Sequence, residues 1–257
     1  MSSVKKFPVF KIIVILLLVA IVISLVSVFL TLKQREKVKV YRKRALVADS
    51  LSIDFPNLEL DNYIVNVLKK AGYEVDFFYG SEVDLKLYSE LTNYSLVILR
   101  VHGGKAVVKT PEGIVIRVNG LFTGLPWSEE YSYLKTAWLV ARARPYGLNK
   151  TYLAVLPRFF EVYLRSKFSE DSVVIVASCY SLFTEEIADT LAEKGLSIFI
   201  GWEGAVSLHH MDLALRELID NVFLKGMSWD EAVRCVNEEL GPDPISGEKL
   251  KIIIYRR

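Results

Sequence analysis

The chain has 257 residues, 52% of them hydrophobic, and a formal charge of +2 that is unevenly placed: residues 1–44 hold ten of the 32 basic side chains and one of the 30 acidic ones. The remaining 22 basic and 29 acidic residues give the rest of the chain about −7. An acidic body excludes a general nucleic-acid binder, which needs a basic footprint, and two cysteines, Cys179 and Cys235, allow one bridge at most and no disulfide framework.

Residues 1–11 read as a short tail. Residues 12–32 carry no charge and only Ser24, Ser27 and Thr31 as polar members, and their 21-residue length matches the roughly 20 needed to cross a bilayer core. A cleavable signal peptide has an apolar core of about 7–15 residues ending in small residues, whereas this run leads into Lys33-Gln34-Arg35-Glu36-Lys37. The pattern predicts an uncleaved single-pass transmembrane helix and a basic juxtamembrane segment, 33–44, suited to lipid headgroups. Seven basic residues after the span against three before it favour a cytoplasmic body by the positive-inside rule. The acceptor patterns Asn93-Tyr94-Ser95 and Asn149-Lys150-Thr151 would matter only outside the cell, which leaves the side open.

Residues 45–257 read as one α/β domain. Arg44 to Asp49 is a short strand. Asp61 is placed as the N-cap of a helix with Tyr63, Ile64, Val67, Leu68 and Ala71 on one face, stopping at Gly72. Tyr73 to Phe78 alternates as a second strand, a helix occupies about 83–91, and Leu96 to Val101 is a third strand. This β-α-β-α-β order implies a mostly parallel, flavodoxin-like sheet flanked by helices. Ala106 to Lys109 and Ile114 to Val118 predict a hairpin around Thr110-Pro111-Glu112-Gly113. Residues 119–150, broken by Gly120, Gly124, Pro126, Pro145 and Gly147, read as irregular, and an insertion is placed at about 119–170, with a helix at about 156–168.

Ser172-Val173-Val174-Ile175-Val176-Ala177-Ser178-Cys179 is a buried strand ending at a cysteine, and a helix follows it to Gly195. Leu196 to Ile200 is the next strand, ending in Gly201-Trp202-Glu203-Gly204. Leu208, Met211, Leu215, Leu218 and Val222 recur at helical spacing, Ser228-Trp229-Asp230-Glu231 is a capping box, and Lys251 to Tyr255 closes the chain as a strand.

In open α/β sheets, sites form at the carboxyl ends of strands. Two strands here end in reactive groups: one in His102-Gly103-Gly104, the other in Ser178-Cys179-Tyr180-Ser181. If the strands are neighbours, Cys179 is a nucleophile, His102 its general base and acid, and the backbone N–H groups of Gly103 and Cys179 an oxyanion hole. His209 and His210 are adjacent on a helix and so do not share a face; they read as an exposed helix start rather than a metal clamp. Cys235 reads as helix core. Phosphate loops, dinucleotide fingerprints and zinc spacings are absent from the sequence.

Val97-Ile98-Leu99-Arg100-Val101-His102-Gly103, the hairpin after it, and Val173 to Ser181 resemble the caspase-like, or clan CD, cysteine peptidases, over about residues 45–257. The segment from Gly195 to Gly201-Trp202 is similar to the gingipain and CHAT branch. The resemblance implies a caspase/hemoglobinase-like fold, a His102–Cys179 dyad, a peptide or protein substrate, and neither a metal nor an organic cofactor. It also implies a substrate pocket lined from the ends of the first strand and the strands around the cysteine, where Asp49, Asp54 and Glu203 would favour Arg or Lys. Most members carry Ala-Cys and a Gly two residues later; Ser178 and Ser181 stand at those places. The alternatives are a non-catalytic, membrane-tethered binding or assembly module of the same fold, and a flavodoxin-like ligand sensor.

Overall fold

The computed structural model describes Ser24, residues 43–109 and residues 114–255. Apart from Ser24, Lys43 and Arg44, the expected span at 12–32 and basic segment at 33–44 lie outside the described residues, as do the hairpin turn at 110–113 and the last two residues. Among the described residues no helix is long and apolar enough to cross a membrane.

In chain order, β1 (Arg44–Asp49) leads through a 3-10 turn into α1 (Leu58–Lys70), β2 (Glu74–Tyr79), the short α2 (Leu85–Ser89) and β3 (Leu96–Arg100). The hairpin β4 (Gly103–Lys109) and β5 (Val115–Pro126) follows, then α3 (Ser132–Thr136), β6 (Val140–Ala143), β7 (Tyr152–Val155) and α4 (Pro157–Tyr163). The last third runs β8 (Val173–Ala177), α5 (Glu186–Glu193), β9 (Ile198–Gly201), α6 (Leu208–Phe223), α7 (Trp229–Glu239) and β10 (Lys251–Ile254).

The main sheet has the order β10-β9-β8-β3-β1-β2 and is parallel except for β10, which runs antiparallel to β9. β3 and β8 lie side by side at its centre and are buried along their whole length, as continuous apolar strands covered on both faces must be. Strand alternation sorts their side chains. Leu96 and Ile98 of β3 and Val173, Ile175 and Ala177 of β8 pack with α1, α6 and α7, while Val97, Leu99, Val174 and Val176 pack with α2, α4 and α5. The fold is α/β, a mixed and mostly parallel sheet flanked by helices.

Two expectations are corrected here. Helix α1 begins at Leu58 and is capped by Asn57, whose Oδ1 accepts the Leu60 N–H at 3.2 Å, so Asp61 lies inside the first turn and is buried. Residues 119–150 are not irregular: β5 continues to Pro126 and, with β6 and β7, forms a second, antiparallel sheet of order β4-β5-β7-β6. Gly124 and Pro126 read as breakers, but a Cβ on Gly124 would collide with the Gly80 carbonyl, and Pro126 sits beyond a register shift at the strand's end. Glycine is there because β5 passes against another backbone, not because the strand stops. The helix expected at 156–168 is confined to α4; α7 opens on the Ser228–Glu231 capping box as expected.

Candidate functional site

Arg100 pairs with Ala177 across β3 and β8, and the Val101 N–H donates to the Ala177 carbonyl at 3.1 Å. His102 and Cys179 each lie two residues beyond this pair, so they leave the sheet side by side on strands about 4.8 Å apart. Cys179 packs against the α1/α6/α7 core, whereas the partners of His102 come from the turn after β1 and from the second sheet. A Cβ on Gly103 would collide with the Cys179 carbonyl and the Ser178 hydroxyl, so only glycine lets the two strand ends close up. The Phe122 N–H donates to the His102 carbonyl at 2.9 Å, which makes that a hydrogen-bonded pair of the β4–β5 ladder. The next pair, Gly103 with Leu121, is therefore the non-bonded kind, and the Gly103 N–H points out of the ladder.

His102 is held by Asp54, in the turn after β1, with Nε2 3.0 Å from Oδ2. A carboxylate only accepts, so Nε2 carries the hydrogen and Nδ1 is the acceptor nitrogen. Tyr152 donates to the same Asp54 oxygen at 2.8 Å and Lys150 to the other at 2.6 Å. Burial works to raise the Asp54 carboxyl, but the bonds from Lys150, Tyr152 and His102 outweigh it and hold the group below its ordinary value. Burial also lowers His102, against the upward pull of Asp54, so the imidazole is neutral at pH 7. The rings of Phe55, Phe122 and Tyr152 surround it at about 6 Å.

Cys179 is a free, half-buried thiol. Its Sγ lies 3.4 Å from both the carbonyl and the N–H of Val206. Burial pushes the thiol up, the Val206 contact opposes this, and Asp243 adds to the rise. The resting pair is thus thiol and neutral imidazole, so a thiolate forms only when a base takes the proton. The loop after Cys179 turns through Tyr180, whose φ of 58° is a left-handed conformation that a non-glycine residue adopts at a cost. Buried Asn119 pays for it by donating to the Tyr180 and Ser181 carbonyls at 3.3 and 2.8 Å. Ser181 is fully buried and accepts the Trp202 N–H at 2.9 Å; Ser178 donates to the Cys179 carbonyl at 3.1 Å. Both hydroxyls, which replace the Ala and Gly of the resemblance, fasten the cysteine turn.

The three carboxylates expected in a substrate pocket are placed differently. Asp49 is fully buried and accepts from Arg100 at 3.0 Å, which also makes two bonds to Asp212, at 2.8 and 2.9 Å. Asp54 holds His102. Glu203 is exposed, 3.7 Å from Lys251. His209 is exposed, but His210 is buried at 7% exposure, on the side of the helix that also buries Met211 and Ala214. Cys235 is half-exposed rather than core, with Sγ 3.3 Å from Glu239. Among the described residues no group of three His, Cys, Asp or Glu is arranged to hold a metal. Sequence reasoning missed the contributions of Lys150, Tyr152 and Asn119; Arg100 carried a signal, as a lone cation closing an apolar strand beside one closed by Asp49. No protein-family model and no curated protein matches the chain.

Proposed function

We propose that the chain is a caspase-like cysteine endopeptidase, anchored in a membrane by residues 12–32. The observation that supports this reading is the β3–β8 register, which makes neighbours of the strands that lead to His102 and Cys179, with Asp54 fixing the imidazole's tautomer. His102 Nδ1 takes the thiol proton as Sγ attacks the substrate carbonyl, and the Gly103 and Cys179 N–H groups receive the oxyanion. The imidazolium returns the proton to the leaving amine; water, deprotonated by the same imidazole, then cleaves the thioester. With Asp49 and Asp54 engaged, a preference for Arg or Lys before the scissile bond rests on Glu203.

The test is labelling of the full chain, in a neutral detergent, by an Arg- or Lys-directed acyloxymethyl ketone, read by peptide mass. Modification at Cys179 that disappears in His102→Ala supports the reading. No labelling, together with unchanged cellular function of Cys179→Ala, would sink it and favour the membrane-tethered binding module. The burial that holds Cys179 as a thiol is the observation on that module's side.

A further inference from the structure

His102 and Cys179 follow neighbouring strands, but among the described residues no hydrogen bond joins them. The His102 ring is bonded to Asp54, and the Cys179 thiol is engaged elsewhere, at Val206, where Sγ lies 3.4 Å from both the carbonyl and the N–H. Proton transfer within the dyad needs Sγ within hydrogen-bond reach of the imidazole, so the thiol must first leave Val206 for another rotamer.

One buried carboxylate holds the Val206 segment in place. Asp243, 1% exposed, lies in the loop 240–250 between α7 and β10, and its Oδ2 accepts the N–H of Ser207 at 2.9 Å together with the Ser207 hydroxyl. Its Oδ1 accepts the N–H groups of Ile245 and Ser246 at 3.0 and 2.8 Å and the Ser246 hydroxyl at 2.9 Å. These bonds outweigh burial and hold the carboxyl far below its ordinary value, so it stays charged. The same loop lays Glu248 against Gly204, where a Cβ would collide with the Glu248 carboxylate, and the Gly204 carbonyl accepts the Tyr180 N–H at 2.8 Å. Segment 204–207 is thus held between the cysteine turn and the loop. The loop itself has an exposed apex, Pro244 to Gly247, with Ile245 at 83% exposure. A segment with so little buried apolar surface opens at low cost.

We propose that the loop 240–250 is an autoinhibitory latch: Asp243 clamps the Val206–Ser207 corner onto Cys179 and so keeps the thiol from His102, and opening of the loop lets Sγ reach the imidazole. The proposal rests on the dyad of the peptidase reading above and assigns its regulation to a residue outside that dyad. Asp243 is a positioning residue, since its bonds reach Cys179 only through Ser207 and Val206. Its charge works in the same direction, raising the Cys179 thiol.

The test is the rate at which iodoacetamide alkylates Cys179 of the full chain at pH 7 in neutral detergent, read by peptide mass with Cys235, the other free thiol, as internal reference. In Asp243→Asn the amide nitrogen cannot accept, so one of the two sets of bonds is lost. The rate at Cys179 should rise about tenfold, the scale of one hydrogen bond to a charged group. Ser207→Ala removes a single bond and leaves the charge, and should give a smaller rise. Both rises should vanish when His102→Ala is added, because the freed thiol needs the imidazole to take its proton. An equal rise without His102 means that the loop only shields the sulfur, and overturns the latch. A rise in Asp243→Asn with none in Ser207→Ala leaves charge alone as the cause and overturns it too, as does unchanged or slower alkylation in both. The peptidase reading is judged separately, by cleavage of peptides. A His102-dependent rise with no peptide cut supports the latch while that reading fails; cleavage by the parent chain with no rise in either variant leaves the peptidase standing without a latch.

Discussion

Two side chains near the end of one strand, Arg100 and His102, each meet a carboxylate, Asp49 at the end of β1 and Asp54 in the turn after it. Arg100 is sealed in at 2% exposure and shares Asp49 and Asp212. His102 sits one step nearer solvent, on Asp54. The first cluster cannot change charge without leaving a buried ion unpaired, so it serves as a fixed support. The second joins an imidazole, held below the ordinary histidine value by burial, to a carboxylate wired to Lys150 and Tyr152, so it can move a proton. Phe55 links them, its carbonyl accepting from Arg100 at 3.1 Å and its ring standing edge-on to His102. Depth below the surface is what separates a structural ion pair from a chemical one.

The largest effect should come from breaking the buried member. Arg100→Met leaves Asp49 and Asp212 without their cation, and denaturant unfolding should show a loss of about 3–5 kcal/mol. A loss below about 1 kcal/mol would mean that the cluster is not the support described.

On the chemical side, Asp54→Asn should leave stability nearly intact but lower kcat by about 10²-fold or more, because the amide no longer enforces the Nε2–H tautomer. Its pH profile is the sharper reading. Asp54 pulls His102 upward against burial, so without it the acid limb of kcat/KM, already below the ordinary histidine value, should move to still lower pH. An acid limb that moves up, or not at all, contradicts the assigned pairing. Gly103→Ala, whose Cβ would strike the Cys179 carbonyl, should cost about 10²–10³-fold in rate by spoiling the oxyanion donor.

A smaller effect sharpens the buried side. Asp61, 1% exposed, is pushed up to about 8 by burial and then by Asp49. A carboxyl whose folded pKa exceeds its unfolded one makes the folded state bind more protons, so stability falls as pH rises from about 4 to about 8. Asp61→Asn should remove that fall and stabilise the protein at pH 8 by roughly 1–3 kcal/mol. Equal pH dependence in variant and parent would show that the proton resides elsewhere. The least effect is expected of Asn57→Ala, which removes the α1 cap at a cost of about 1 kcal/mol in thermal unfolding.

How legible each feature was follows from how local its cause is. Val173 to Ala177 and Leu96 to Arg100 announce themselves because a strand covered on both faces must be apolar at every position, and their abrupt ends at Cys179 and His102 placed the pair of interest. The Ser228 capping box is equally local, being closed within four residues. Asn57 was passed over for Asp61 because both are capping residues, and only the buried partners of Asp61 tell them apart. The second sheet was hidden because its glycines answer to contacts with distant backbone, at Gly80 and Cys179, that composition does not reveal.

From sequence alone came the α/β class, the order of most elements and the two strand ends, since periodicity and turn chemistry act over a few residues. Tertiary structure alone decided that those strands are neighbours, that Asp54 serves His102 while Asp49 is consumed by Arg100, and that Gly120 and Gly124 belong to a strand. The physical reason is range: a carboxylate's role depends on which cation the fold brings within about 3 Å and how much water is left around them, and neither is written in its neighbours along the chain.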